Sequence, residues 1–209
     1  MKGQFIVVEG LEGAGKSTAM HVVSDWLHDR GVMDVTLTRE PGGTSYAEKV
    51  RDLVKNGPRD ETLDPLAEAL LMYAARVQLV RTVIEPTLAR GGFVISDRHE
   101  LSTRAYQGGG GGIKQTTLQT LWSLVLDGFT PDLTIYLDLP PQQGLKRVAA
   151  RGALDSIEQR PLSFFEKVYE VYHAYAQSDP KIFCVDATQD LKKVHEDLLH
   201  ILNTQVRLI

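Results

Sequence analysis

Gly10, Gly13, Gly15, Lys16 and Ser17 stand in the order G-x-x-x-x-G-K-[ST] within Gly10-Leu11-Glu12-Gly13-Ala14-Gly15-Lys16-Ser17-Thr18, the spacing of a loop that cradles phosphates. Phosphate oxygens carry dense negative charge, so such a loop must offer bare backbone N–H groups at close range. Glycine permits both the tight turns and the close approach. A helix starting near Lys16 aims its positive N-terminus at the same anion. Lys16 then reaches the β- and γ-phosphates, and the Ser17 hydroxyl is placed to ligate Mg²⁺. These residues point to a bound nucleoside triphosphate.

Such a loop specifies the ligand and not the reaction, so further charged positions matter. Asp97 ends an apolar run and is followed by Arg98-His99. An acidic residue at a strand end near the phosphate loop is suited to Mg²⁺, and Arg98 can bridge two phosphoryl groups with its fork. Asp97 capping the next helix is the structural alternative. Arg39 opens Arg39-Glu40-Pro41-Gly42-Gly43-Thr44 at another strand end. Arg76 lies three residues after Tyr73, on the same helix face. On an apolar helix it meets an anion or a base edge, or it keeps a solvated head on a buried stem. Arg147 and Arg151 are four apart, ahead of a polar stretch, Ala153–Arg160, that reads as a mobile lid at about 150–160; a solvated charged face is the structural alternative for the two arginines. Cations at several strand ends imply a second anionic substrate, hence phosphoryl transfer to a phosphate-bearing acceptor.

The elements that must carry these residues alternate. Strands are expected at Phe5–Glu9, Val35–Arg39, Phe93–Ser96, Leu133–Leu139 and Ile182–Asp186, each dense in Val, Ile, Leu and Phe as if covered on both faces. Helices are expected at Lys16–Arg30, Tyr46–Asn56, Pro65–Arg90, Thr116–Asp127, Pro141–Arg151, Leu162–Ser178 and Leu191–Val206, several of them stopping at glycine. This alternation predicts an α/β fold of the P-loop NTPase type. It comprises a five-stranded parallel sheet, helices on both faces and a short lid, with ligands beyond the carboxyl ends of the strands. Gln107–Gly112 reads as a flexible glycine loop beside the site.

The 209 residues suit one domain spanning 1–209. A net charge of −4 with scattered cations argues against nucleic acid as the main partner. Cys184, the single cysteine, reads as a packed thiol in a buried strand. No apolar run reaches the ~20 residues of a membrane span, and no leader pattern opens the chain; a cytoplasmic protein is expected.

From about Phe5 to about Ala187 the chain resembles bacterial thymidylate kinases. The likeness rests on Glu9–Ser17, Thr38–Thr44, Tyr73-Ala-Ala-Arg76, Asp97-Arg98-His99 with Ser102-Thr103 and Ala105-Tyr106-Gln107, Pro131–Thr134, and Leu154-Asp-Ser-Ile-Glu158. It is nearest to the enterobacterial-type branch, with an acid in the phosphate loop (Glu12) and catalytic arginines in the lid. The resemblance implies a nucleoside monophosphate kinase-like domain that phosphorylates dTMP with ATP and Mg²⁺, acting as a homodimer. Lys16, Arg98, Arg151 and Arg147 would be catalytic, and Ser17 with Asp97 would hold Mg²⁺. Arg39 and Arg98 would grip the dTMP phosphate with Arg51 nearby, and Glu12 would meet the sugar 3′-hydroxyl. Arg76, Thr103 and Gln107 would read the thymine edge while Tyr106 packs on the sugar. Either Met72 or Tyr73 would lie on the base. The chain departs from the family pattern at Met72, where a Phe is frequent, and at Ala149 and Gly111, where arginines are frequent. Another monophosphate kinase, or a nucleotide sensor with a decayed site, are the competing readings.

Overall fold

The computed structural model describes every residue except Met1, Arg59, Arg151, Ala153, Leu154 and Ile209. Five parallel strands, β1 (Phe5–Gly10), β2 (Val35–Arg39), β3 (Phe93–Asp97), β4 (Leu133–Asp138) and β5 (Ile182–Asp186), form one sheet in the order β2-β3-β1-β4-β5. Register pairs Val8 with Asp97 and Gly10 with Leu137, so the carboxyl ends of β1, β3 and β4 open at one rim. The helices are α1 (Lys16–His28), α2 (Ser45–Asn56), α3 (Pro65–Leu79), α4 (Glu85–Ala89), α5 (Glu100–Thr103), α6 (Gln115–Leu126), α7 (Pro141–Ala149), α8 (Leu162–Ser178) and α9 (Leu191–Gln205).

The three central strands bury nearly every residue, as their unbroken apolar runs require. The outer strands do not: β2 leaves Leu37 46% exposed, and Cys184 on β5 is exposed rather than packed. An edge strand lacks a neighbour on one side, and helices cover it incompletely. Although the side chain reaches solvent, partial desolvation by its neighbours and the adjacent Asp138 push the Cys184 thiol up to about 11, which favours the protonated form at neutral pH. On one face α1 and α9 pack Val23, Leu27, Leu198 and Leu202 against Ile6, Val8 and Ile135. On the other, Leu79, Val80 and Ile84 meet Phe5, Val7 and Val94, while α8 brings Phe165, Val168 and Tyr172 onto Tyr136.

Two helical segments depart from expectation. The long helix predicted over Pro65–Arg90 is interrupted by a π-turn at Val80–Ile84. Pro86 has no N–H and crowds the carbonyl four residues back, so a wider turn just before it relieves the conflict. The glycine run is a loop only at Gly111–Gly112: Arg104–Gly110 forms a second π-helical segment continuing from α5. Gly109 and Gly110 face α8, where a Cβ on Gly109 would stand 2.7 Å from the Lys167 carbonyl and one on Gly110 would enter the Phe164 ring, while Gly108 faces Gln115 and Leu118 of α6. Glycine here serves close packing of helices.

Candidate active site

The phosphate loop joins the end of β1 to α1, with Gly10, Gly13 and Gly15 at φ 145°, 79° and 94°. Those angles disfavour any side chain. A Cβ on Gly13 would also meet the Gly144 carbonyl at 2.6 Å, so α7 closes on the loop as well. Lys16 is buried, and its Nζ donates to the carbonyls of Gly10 (3.2 Å) and Leu11 (3.0 Å), which holds the ammonium along the loop. Burial first, and then Arg98, lower its pKa to about 8 against the opposing pull of Asp97, Glu12 and Glu9.

A cleft of about 460 Å³ at the rim is lined by Glu12, Gly13, Gly15, Lys16, Ser17 and Thr18 from the loop and by Met72 and Arg76 from α3. Asp97, Arg98, Thr103, Tyr106 and Gln107 line it after β3, with Arg51 from α2 and Arg147 from α7. Leu11 and Ala14 turn inward to the core and support the loop. Asp97 Oδ1 is buried without a partner among the described residues, and the exposed Ser17 lines the same cleft. A buried carboxylate oxygen with unused acceptor capacity beside a hydroxyl fits a hard cation such as Mg²⁺. Asp97 does not cap the next helix; that task falls to Glu9, whose Oε1 accepts from the backbone N–H groups of His99 (2.8 Å) and Ser102 (3.2 Å).

Arg98 has φ 73°, a conformation that costs a non-glycine residue energy and persists only where its surroundings impose it. The surroundings are specific. Its Nη2 donates to Glu12 Oε1 (2.6 Å) and Tyr106 Oη (3.1 Å), and its Nη1 to Ser102 Oγ (3.1 Å) and Tyr172 Oη (3.2 Å). Tyr106 in turn donates to Glu12 Oε2 (2.6 Å). Burial pushes the Glu12 carboxyl up, but Arg98 and Lys16 outweigh it and hold it ionised. The guanidinium is thus oriented in advance beside the phosphate loop. Arg51 donates to the Pro41 carbonyl (3.0 Å), and burial together with the like charges of Arg39 and Arg98 lowers its pKa. Cations crowded in this way favour an incoming dianion.

On the opposite wall Arg76 is buried, not solvated. It pairs with Glu40 (2.6 Å) and Glu100 (3.1 Å) and donates to the His99 carbonyl (3.0 Å) and Thr103 Oγ1 (2.9 Å). Of the two candidates for the base-stacking position, Met72 lines the cleft. Tyr73 points into the helix packing, its hydroxyl near Glu100 Oε1 (2.8 Å) and the Leu118 carbonyl (3.0 Å). The structure does not bring Arg39 into the main cleft. Its guanidinium is half exposed, pairs with Glu48 (2.9 Å), and lines an adjoining groove that reaches Ser17 and Asp97. Arg147 donates to the carbonyls of Gly13 and Ala187 (3.2 Å each), tying α7 to the phosphate loop and to the turn after β5. Arg151 lies outside the described residues.

The sequence reading assigned no role to Glu9, Glu40, Glu68 and Tyr172, all of them buried supports of this site. A signal existed for Glu9, an acid ending a strand that is otherwise wholly apolar. Tyr172, 163 residues from the Glu9 carboxylate it donates to, carried none.

A glycine-rich phosphate loop at the first strand of a parallel sheet, facing a cleft with a second cationic wall, defines a P-loop kinase of small substrates. A family model described as thymidylate kinase matches residues 8–198. The crystal structure of thymidylate kinase from Ehrlichia chaffeensis superposes with a TM-score of 0.78 at 31% identity, covering 97% of this chain and 99% of that one. The chain belongs to the thymidylate kinase family and so to the phosphotransferases.

Proposed function

We propose that the protein transfers the γ-phosphoryl group of ATP to dTMP, yielding dTDP and ADP for dTTP biosynthesis. One observation carries this reading. Lys16 and Arg98 meet in a single cleft whose far wall offers Arg76, Thr103 and Gln107, a polar edge suited to a base. The acceptor phosphate oxygen is already a nucleophile, so no general base is needed; positioning and charge suffice. Lys16 and Arg98 hold the transferring phosphoryl group and its acceptor, with Arg151 and Arg147 completing the cationic clamp. Arg51, and Arg39 from the neighbouring groove, attract the acceptor dianion. Ser17 and Asp97 would hold Mg²⁺, which supplies charge neutralisation on the phosphate chain. Glu12 and Tyr106 position the sugar, and Met72 lies along the base.

The segment 150–160 acts as the lid of a single domain and excludes water from the cleft. Its described part is docked: Lys55 pairs with Asp155 (2.6 Å), and Ser156 Oγ donates to the Val54 carbonyl (2.9 Å). Glu12 in the phosphate loop and Arg147 on α7 support assignment to the enterobacterial-type branch. A homodimer is supported by exposed Leu66 and Leu70 on α3 and Leu124 on α6, two helices that pack side by side. No helix among the described residues is long and apolar enough to cross a membrane, and we assign the enzyme to the cytoplasm.

The test is an ADP-release assay with ATP and Mg²⁺ against dTMP, dUMP, dCMP, UMP, GMP and AMP, with Lys16→Ala as control. Preference for dTMP, lost in Lys16→Ala, is the expected outcome. Another preferred acceptor would overturn the base assignment, and no turnover with any would favour a nucleotide sensor.

A further inference from the structure

Glu68 on α3 is 2% exposed, and its two carboxylate oxygens serve two different parts of the molecule. Oε1 accepts from Gln107 Nε2 at 2.7 Å, and Oε2 is held by Arg160 Nη2, from the end of the docked 155–160 segment. A carboxylate beside an arginine is an acceptor only, so the Gln107 carboxamide must turn its NH₂ toward Glu68. Its Oε1 then has no partner among the described residues, although Gln107 is buried and lines the cleft. The Arg160 guanidinium lies 4.6 Å over the Phe164 ring, whose edge meets Tyr106, so the same anchor braces the sugar wall.

We propose that Glu68 is a positioning residue that makes reading of the acceptor base conditional on docking of the 155–160 segment. This rests on the assignment of Gln107 to the base edge. With Arg160 in place, both Glu68 oxygens are compensated and Gln107 presents an acceptor to the cleft. A base offering an N–H on the facing edge, such as the imide of thymine, is accepted. One offering a lone pair there, as N3 of cytosine does, meets oxygen against nitrogen and is rejected. When Arg160 withdraws, a buried carboxylate loses half its compensation. The carboxamide is then recruited more strongly to Glu68 and drawn away from the base.

The experiment measures kcat and KM for dTMP and dCMP in wild type, Glu68→Gln, Gln107→Glu, the exchange variant Glu68→Gln/Gln107→Glu, Arg160→Gln and the double variant Glu68→Gln/Arg160→Gln, with melting temperatures for all. In Glu68→Gln the carboxamide is no longer forced one way. The dTMP-over-dCMP ratio of kcat/KM should fall about tenfold, mainly through KM for dTMP, with KM for ATP changing less than about twofold. Gln107→Glu places two carboxylates together and should lose at least as much. The exchange variant restores one donor and one acceptor at each contact, and should recover discrimination to within about threefold of wild type, which a purely structural role does not predict. Arg160→Gln should raise KM for dTMP several-fold in the wild-type background and little further in Glu68→Gln.

Unchanged discrimination in a folded Glu68→Gln variant, an exchange variant no better than its parents, or additive effects of Glu68→Gln and Arg160→Gln would overturn the proposal. Should Glu68→Gln alone fail to fold, the exchange and Arg160→Gln variants decide it. A wild type that does not prefer dTMP would instead overturn the base assignment on which the proposal stands.

Discussion

Gly110→Ala sets two forces of opposite sign against each other. Gly110 sits in a helical segment without positive φ, so helix propensity alone predicts that alanine stabilises by roughly 0.5–1 kcal/mol. Packing predicts the reverse. The added Cβ would stand 2.6 Å from Phe164 Cδ2 and nearer still to Cε2 and Cζ, whereas carbon contacts are comfortable at about 3.5–4.0 Å. The ring must therefore retreat by about 1 Å. It has little room, because it is 8% exposed, lies edge-on to Phe165 and Tyr106, and is covered by Arg160. Overpacking of this kind costs about 1–3 kcal/mol, so the net effect is a loss of about 1.5 kcal/mol. For a chain of 209 residues that lowers Tm by about 3–6 °C in differential scanning calorimetry. Gly112→Ala is the companion: nothing lies within 4 Å of its Cβ but φ is 77°, so it should lose only about 1 kcal/mol, through backbone strain. A Tm that rises in Gly110→Ala would refute the packing argument and return the glycine run to a flexible loop.

Arg76→Ala leaves Glu40 and Glu100 facing a void, and Glu40 has almost no access to solvent. Unfolding in urea should show a loss of about 3–5 kcal/mol; less than about 1 kcal/mol would mean that the carboxylates find other partners. Burial raises the Asp155 carboxyl, but Lys55 and the N–H groups of Glu158 and Ile157 outweigh it and hold it below its ordinary 3.8. Its folded pKa being depressed, the contribution is complete above about pH 4 and is lost as pH falls through the folded value. Stability curves of wild type and Lys55→Met should therefore separate above about pH 4 by up to about 1 kcal/mol and converge in acid. A constant gap down to pH 2 would contradict the ion pair. Arg151→Ala should lower kcat by roughly 10²–10³ with little change in dTMP affinity, as loss of a transition-state donor does. An unchanged kcat would move that role to Arg147 or Arg160.

What the chain states locally was legible without a structure. The phosphate loop spans nine consecutive residues whose chemistry depends on their spacing alone, and the strands that place Lys16 and Asp97 announce themselves by apolar density. Each observed strand lies within one residue of its expected bounds. Edge exposure was not legible, because Leu37 and Cys184 look like core until the order β2-β3-β1-β4-β5 puts their strands outermost. Nor was the glycine run, whose composition suits a flexible loop equally well until α8 arrives against it. Tertiary contact also set Met72 on the cleft wall and Tyr73 in the helix packing, two neighbours on one helix separated only by which face α6 covers. It likewise placed Arg76 among carboxylates and gave Glu9, Glu40 and Glu68 their partners. Those partners stand between 23 and 163 residues away. A side chain's neighbours across such a span follow from how layers pack, and no local pattern records them.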